Sequence, residues 1–209
     1  MKTLTKYILS SFGGKVISKE ELEGACKKFK ADPEVTVNFM IHYGYLVRIL
    51  RGLYYVKTLE EFGLKKTVDI YKVLSLGMEK LGVNWYFGLY TGLRLNGLTH
   101  EYSDTIFILN DRIFRPKEIR VGGEKVKFIK LKGEVFGFGT VEKDLSKYSD
   151  VEKTLLDFVY VSKYRSVLED RIISIIDEYK DKSVPEKIKK YLKSYPKTVG
   201  KVAKDAGLI

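Results

Sequence analysis

At 209 residues the chain is long enough for one large domain or two small ones with self-sufficient cores, so no disulfide or metal staple is required. A single cysteine, Cys26, excludes an internal disulfide framework, and with only His42 and His100 beside it no cluster has zinc-ligand spacing. No run approaches the roughly 18 apolar residues of a spanning helix, and the first residues lack a signal peptide's apolar core, so a soluble, cytoplasmic protein with no membrane partner is expected. Gln is absent while Lys and Glu abound, a bias that fits a thermophilic source. The net charge of +11 is unevenly spread: residues 1–57 carry 10 Lys or Arg against 5 acids, residues 58–179 carry 19 against 19, and residues 180–209 carry 9 against 3. Positive charge segregated at both ends is the footprint of a polyanion partner.

Leu4, Ile8, Leu9 and Phe12 recur at helical spacing until Gly13-Gly14 ends the run. Val16-Ile17 is a brief extended pair. Ser18 with Glu21 three residues on is a capping box, and Leu22, Ala25, Cys26 and Phe29 form the buried stripe of a second helix. Lys27, Lys28 and Lys30 close that helix at the negative end of its dipole. Asp32-Pro33 opens a third helix with a cap and a proline at its first position. Val37, Met40 and Ile41 are spaced to face the core, which places Thr36, Asn38, Phe39, His42 and Tyr43 on or near the outer side. A free face carrying Thr, Asn and His suits base edges in a major groove. His42 suits a solvent-facing or capping role equally well, and Phe39 and Tyr43 suit packing.

Gly44 can stop the third helix through a left-handed backbone. Two β-rich runs then flank Arg51-Gly52, the signature of a tight hairpin. Arg48 and Arg51 lie on its first strand and at its tip. Three helices followed by a hairpin with a cationic tip predict a winged helix-turn-helix over 1–57. Residues 58–66 form a connector, and 68–81 a helix stopped by Gly82. Residues 85–98 are apolar nearly all round and predict a buried helix, with Gly88 and Gly92 permitting close approach. Strand-like runs follow at 105–109, 118–121, 125–131 and 135–140, then amphipathic helices at 150–160 and 167–179. The expected architecture is α+β: the winged helix, then a mixed α+β domain over 68–180 with a mainly antiparallel sheet and C-terminal helices, then a basic helical tail over 181–209.

No phosphate loop, nucleophile elbow or His-bearing metal motif occurs, so neither a catalytic residue nor a metal or cofactor is expected. A restriction-type nuclease wants an acid and a Lys two apart on a strand. The nearest match, Glu118-Ile119-Arg120, has Arg in place of Lys. Glu101, Asp104, Asp111 and Glu124 fit dispersed surface acids, and His100-Glu101 a structural hydrogen bond at a helix exit. A divergent metal-dependent nuclease and an RNA-binding module stand as alternatives to a DNA-binding protein.

Three segments together resemble the AbiEi-type antitoxins, transcriptional regulators of abortive-infection type IV toxin-antitoxin systems in phage defence. Gly44-Tyr45-Leu46-Val47-Arg48-Ile49-Leu50-Arg51-Gly52-Leu53-Tyr54 is similar to the family's wing. Tyr86-Phe87-Gly88-Leu89-Tyr90-Thr91-Gly92-Leu93-Arg94-Leu95-Asn96-Gly97-Leu98-Thr99 resembles the opening of its second domain. Ser149-Asp150-Val151-Glu152-Lys153-Thr154-Leu155-Leu156-Asp157 resembles a later helix with an acid-x-lysine-threonine-leucine run. The resemblance implies a repressor that binds double-stranded DNA at its own promoter. It also implies a second domain that neutralises a nucleotidyltransferase-like toxin without a stable complex. DNA contact is carried over onto Arg48 and Arg51 alone. A homodimer and a monomer both stay open. The tail is Lys-rich, with Lys197, Lys201 and Lys204 placed for phosphate contact, for a dimer contact or for solvent.

Overall fold

The computed structural model describes residues 2–64, 66–98, 104–165 and 169–209, with backbone alone for 163–165 and 169–171. His100 and Glu101 lie outside the described residues. The chain divides into two compact units, Met1–Gly82 with Arg120–Glu124, and Val83–Ile119 with Lys125–Ile209.

The first unit begins with α1 (Lys2–Phe12), β1 (Val16–Ser18), α2 (Lys19–Lys28) and α3 (Pro33–His42), followed by β2 (Leu46–Leu50) and β3 (Leu53–Val56). Local chemistry sets these boundaries. Ser18 Oγ accepts from Glu21 N while the Glu21 carboxylate accepts from Ser18 N at 2.7 Å, a reciprocal cap. Asp32 Oδ1 accepts from Val35 N at 2.8 Å with Pro33 at the first helical position. The antiparallel sheet runs β1-β3-β2. Leu4, Ile8, Ile17, Leu22, Cys26, Met40, Leu46 and Val56 pack into one apolar core beneath it. The expected connector holds a short helix, α4 (Leu59–Gly63), capped by Thr58 and Glu61. Helix α5 (Ile70–Leu81), expected in the second domain, groups with the first unit.

Beyond Gly82 the chain forms β4 (Trp85–Phe87), α6 (Leu89–Leu95), β5 (Thr105–Asn110), β6 (Ile119–Val121), β7 (Glu124–Lys130), β8 (Thr140–Lys143) and β9 (Ser146–Ser149), all in the second unit except Arg120 and Val121 of β6 and Glu124 of β7, which group with the first. Four helices follow: α7 (Val151–Arg165), α8 (Glu169–Tyr179), α9 (Pro185–Tyr191) and α10 (Lys197–Asp205). The sheet order is β6-β7-β5-β4-β9-β8. It is mixed rather than mainly antiparallel. β5 lies parallel to β7 over six residue pairs and β4 parallel to β9, while β4–β5 and β8–β9 are antiparallel.

Three further expectations are corrected. Residues 85–98 are not one helix: Trp85, Tyr86 and Phe87 are a central strand buried on both faces, and the helix starts only after Gly88. A strand apolar on both faces has no alternation to betray it. The run 135–140 is a 3-10 turn ending at Val135 and an irregular stretch, with strand only from Thr140. The residues 181–209 are not a separate tail. Ile188, Tyr195, Val199, Ala203 and Leu208 are buried in the same core as Leu155, Leu156 and Val159 of α7. Close approach at Gly92 is real: a Cβ there would lie 2.7 Å from Ser149 Oγ and 2.8 Å from Thr154 Oγ1.

Candidate nucleic-acid interface

Helix α3 carries its exposed stripe on Val35, Asn38 and His42, spaced three and four residues apart as one helix face requires. Val35 is 58% exposed, an apolar member of that stripe that sequence periodicity does not single out. Thr36 is not on the outer face. It is buried beside Val37 and Met40, and its Oγ1 donates to Asp32 O at 2.7 Å. A back-bonded Thr hydroxyl is already satisfied and fits a core-facing position. Phe39 is half-buried and packs against the core cluster, with its ring 4.5 Å from Tyr43 and 6.4 Å from Tyr45. It therefore packs rather than projects. Tyr43 is exposed, and His42 meets its ring edge-on at 5.0 Å.

Gly44 (φ 75°) and Gly52 (φ 80°) occupy the left-handed backbone that a helix stop and a hairpin turn demand. Arg48 pairs with Tyr54 across the hairpin, its guanidinium 5.9 Å from the Tyr54 ring. A flat cation laid on an aromatic face is held without being neutralised. Between Arg48 and Leu50 the register shifts, and such an irregularity adds local twist. Arg51 is exposed at the turn. The turn is braced, because Lys19 N donates to Gly52 O at 2.8 Å.

Lys27, Lys28 and Lys30 are exposed where α2 ends. Lys28 Nζ donates to Tyr7 OH at 3.1 Å, and that hydrogen bond and the ammonium charge hold the Tyr7 hydroxyl below its ordinary pKa. The unit thus presents five exposed cations on the α2 terminus and the hairpin, and an almost uncharged stripe on α3.

The second unit holds a polar cluster that the sequence does not suggest. Lys153 and Asp157 are both fully buried on α7. Tyr195 OH donates to Asp157 Oδ1 at 2.6 Å and Tyr86 OH to Oδ2 at 2.9 Å. Lys153 Nζ donates to Val135 O at 2.6 Å and to Tyr195 OH at 3.2 Å, while Asp157 Oδ1 lies 3.9 Å away. The ammonium also sits 4.3 Å from the Phe138 ring centre and 4.7 Å from that of Tyr86. Burial lowers the Lys153 pKa against the pull of Asp157 and Asp150, and it raises that of Asp157 against Lys153, Tyr195 and Tyr86. Every member of this cluster is occupied by another, so its chemistry is cohesion. Around it, Glu152 accepts from Val184 N at 2.9 Å and Asp150 from Tyr191 OH at 2.8 Å. Asp150, just before α7, and Glu152 and Asp157 within it therefore receive residues 184–195 at three points. The local hint is limited to the i, i+4 spacing of Lys153 and Asp157 beside Leu155, Leu156, Phe158 and Val159, and it names neither tyrosine partner.

Glu118, Asp104 and Glu124 are dispersed, and Asp111 accepts from Asn84 at 2.7 Å. Among the described residues no three His, Cys, Asp or Glu side chains are placed to hold a metal ion, and no helix is long and apolar enough to cross a membrane.

These elements define an α+β protein of two units. Among solved structures the chain is similar to the crystal structure of the RV2827C protein from Mycobacterium tuberculosis. The TM-score is 0.61 at 12% identity, over 98% of this chain and 75% of that one. At that identity the likeness is one of fold. No protein-family model and no curated protein matches the sequence.

Proposed function

We propose that the protein is a DNA-binding transcriptional regulator of the AbiEi antitoxin type. Its first unit is a winged helix-turn-helix, with α3 as recognition helix and the β2–β3 hairpin as wing. The observation that carries this reading is the order helix, strand, helix, helix, hairpin with sheet order β1-β3-β2, combined with exposed Arg48 and Arg51 on the hairpin. In this reading Asn38 and His42 meet base edges and Val35 a thymine methyl. Arg48, Arg51, Lys27, Lys28 and Lys30 hold phosphate and set register. The second unit is the part that neutralises a nucleotidyltransferase-like toxin, without a stable complex.

Binding of the full chain to the duplex upstream of its own gene, followed by fluorescence anisotropy over a salt series, tests the reading. Arg51→Ala is expected to weaken binding several-fold and to reduce the salt slope by about 1, the effect of one lost phosphate contact. Unchanged affinity and slope at matched salt overturn the wing assignment. Cutting of the duplex on addition of Mg²⁺ or Mn²⁺ would replace the regulator with a nuclease.

A further inference from the structure

The positive charge of residues 180–209, 9 Lys against 3 acids, belongs to helices whose other side is core. In α10, Val199 and Ala203 are buried, and Val202 and Ala206 pack against the same cluster. Lys197, Lys201 and Lys204 are exposed. At i, i+4 and i+7 those three fall within one narrow stripe, on the side away from the buried residues. Helix α9 and the 3-10 turn Leu192–Ser194 that follows it repeat the arrangement: Ile188 is buried, Tyr191 and Leu192 pack inward, and Lys189, Lys190 and Lys193 are exposed. Lys180 and Lys187 have carboxylate partners, Asp177 for the first and Asp150 and Glu152 for the second. The six other exposed lysines named here have none among the described residues. Packing explains why these helices are amphipathic. It does not explain why their outer faces carry cations almost alone, in a chain whose residues 58–179 balance 19 against 19.

We propose that the lysine face of α9 and α10 is a second contact surface for the phosphate backbone of duplex DNA, carried by the second unit. Lysine, a point charge on a flexible stem with no planar fork, suits sequence-independent phosphate contact rather than base reading. The face would supply affinity, while α3 supplies the sequence preference. This rests on the proposed DNA-binding function and extends it to the other unit.

The test uses the full chain, a long duplex from upstream of its gene, and two variants with equal loss of charge. The first is Lys197→Gln/Lys201→Gln/Lys204→Gln. The second, Lys130→Gln/Lys132→Gln/Lys143→Gln, removes three exposed lysines elsewhere in the second unit. Each contacting lysine adds about 0.9 to the slope of log affinity against log salt. Between 50 and 200 mM salt the natural chain is therefore expected to weaken about 40-fold more than the first variant, and equally with the second. All six positions are exposed, and matched circular dichroism melts check the fold. If the first variant keeps the natural slope and affinity, the inference fails while the DNA-binding reading stands. If both variants flatten the slope alike, net charge acts rather than this face, and the inference again fails. If the natural chain binds no duplex, both readings fail together. Should structured RNA compete with duplex for the natural chain but not for the first variant, with the DNA slope unchanged, the face belongs to RNA and the DNA assignment is overturned.

Discussion

The two units treat ionisable side chains in opposite ways. The first keeps Lys27, Lys28, Lys30, Arg48 and Arg51 at its surface around a core of aliphatic, Cys, Met and Tyr54 side chains that, among the described residues, contains no charged group. The second buries Lys153 and Asp157 and wires them to Tyr86 and Tyr195. A surface cation loses little by meeting a new anion, because it keeps most of its water until contact. A buried pair has lost its water already and is compensated only by its present partners. Removing one of these surface charges should therefore change the proposed binding, and removing a member of the buried pair should change stability.

The largest effect belongs to Asp157. Asp157→Ala leaves the Lys153 ammonium without its carboxylate and two buried hydroxyls without an acceptor. The expected loss is about 3–5 kcal/mol, as for other broken buried pairs. Trp85 is the sole tryptophan and is buried in β4 of the second unit, so its fluorescence in a urea titration reports this unit. A midpoint unchanged from the natural chain would show that the network carries no stability. Tyr195→Phe removes one hydroxyl, the donor to Asp157 and an acceptor of Lys153. About 1–3 kcal/mol is expected for the unsatisfied groups left behind. Because Tyr195 lies between α9 and α10, the same substitution should raise amide exchange in those helices before the rest of the unit. Uniform exchange would deny the network its role in holding them.

The contrast also explains what could be read in the sequence. Elements α1 to β3 were legible because their ends are written locally, in Ser18 with Glu21, Asp32 with Pro33, and Gly44 and Gly52. The exposed cations of the first unit were legible because a hairpin tip and a helix end leave long side chains nowhere else to go. Thr36 was misplaced because a threonine looks polar in sequence, while its bond to Asp32 O lets it face the core. Strand β4 resembles a helix in sequence because burial on both sides erases the period of two. The Lys153 network was invisible because its partners Tyr86 and Tyr195 stand 67 residues before and 42 after it in the chain. Long-range pairing has no local signature. The Lys-rich end looks like a free tail because charge dominates its composition, though from Ile188 to Ala206 apolar residues recur every three or four positions and pack into the core, some fully and some partly buried.

The smallest expected effect tests the first unit's side of the comparison. Glu21 accepts from Lys80 Nζ at 2.8 Å and from Ser18 N at 2.7 Å, with both charged side chains well exposed. The Lys80 hydrogen bond, then that of Ser18, holds the Glu21 carboxyl below its ordinary 4.5. A carboxyl whose pKa is depressed by folding stabilises the fold above its unfolded pKa, and that contribution is lost as pH falls through the folded value. A double-mutant cycle of Glu21→Gln and Lys80→Met should give a coupling of about 0.2–1 kcal/mol at pH 7, shrinking in high salt and vanishing in acid. Amide exchange in α2 measures it. A coupling of several kcal/mol that ignored salt would mean that this pair behaves like Lys153 and Asp157. The division between a solvated first unit and a wired second unit would then fail at the one place where the first unit joins charges across 59 residues of sequence.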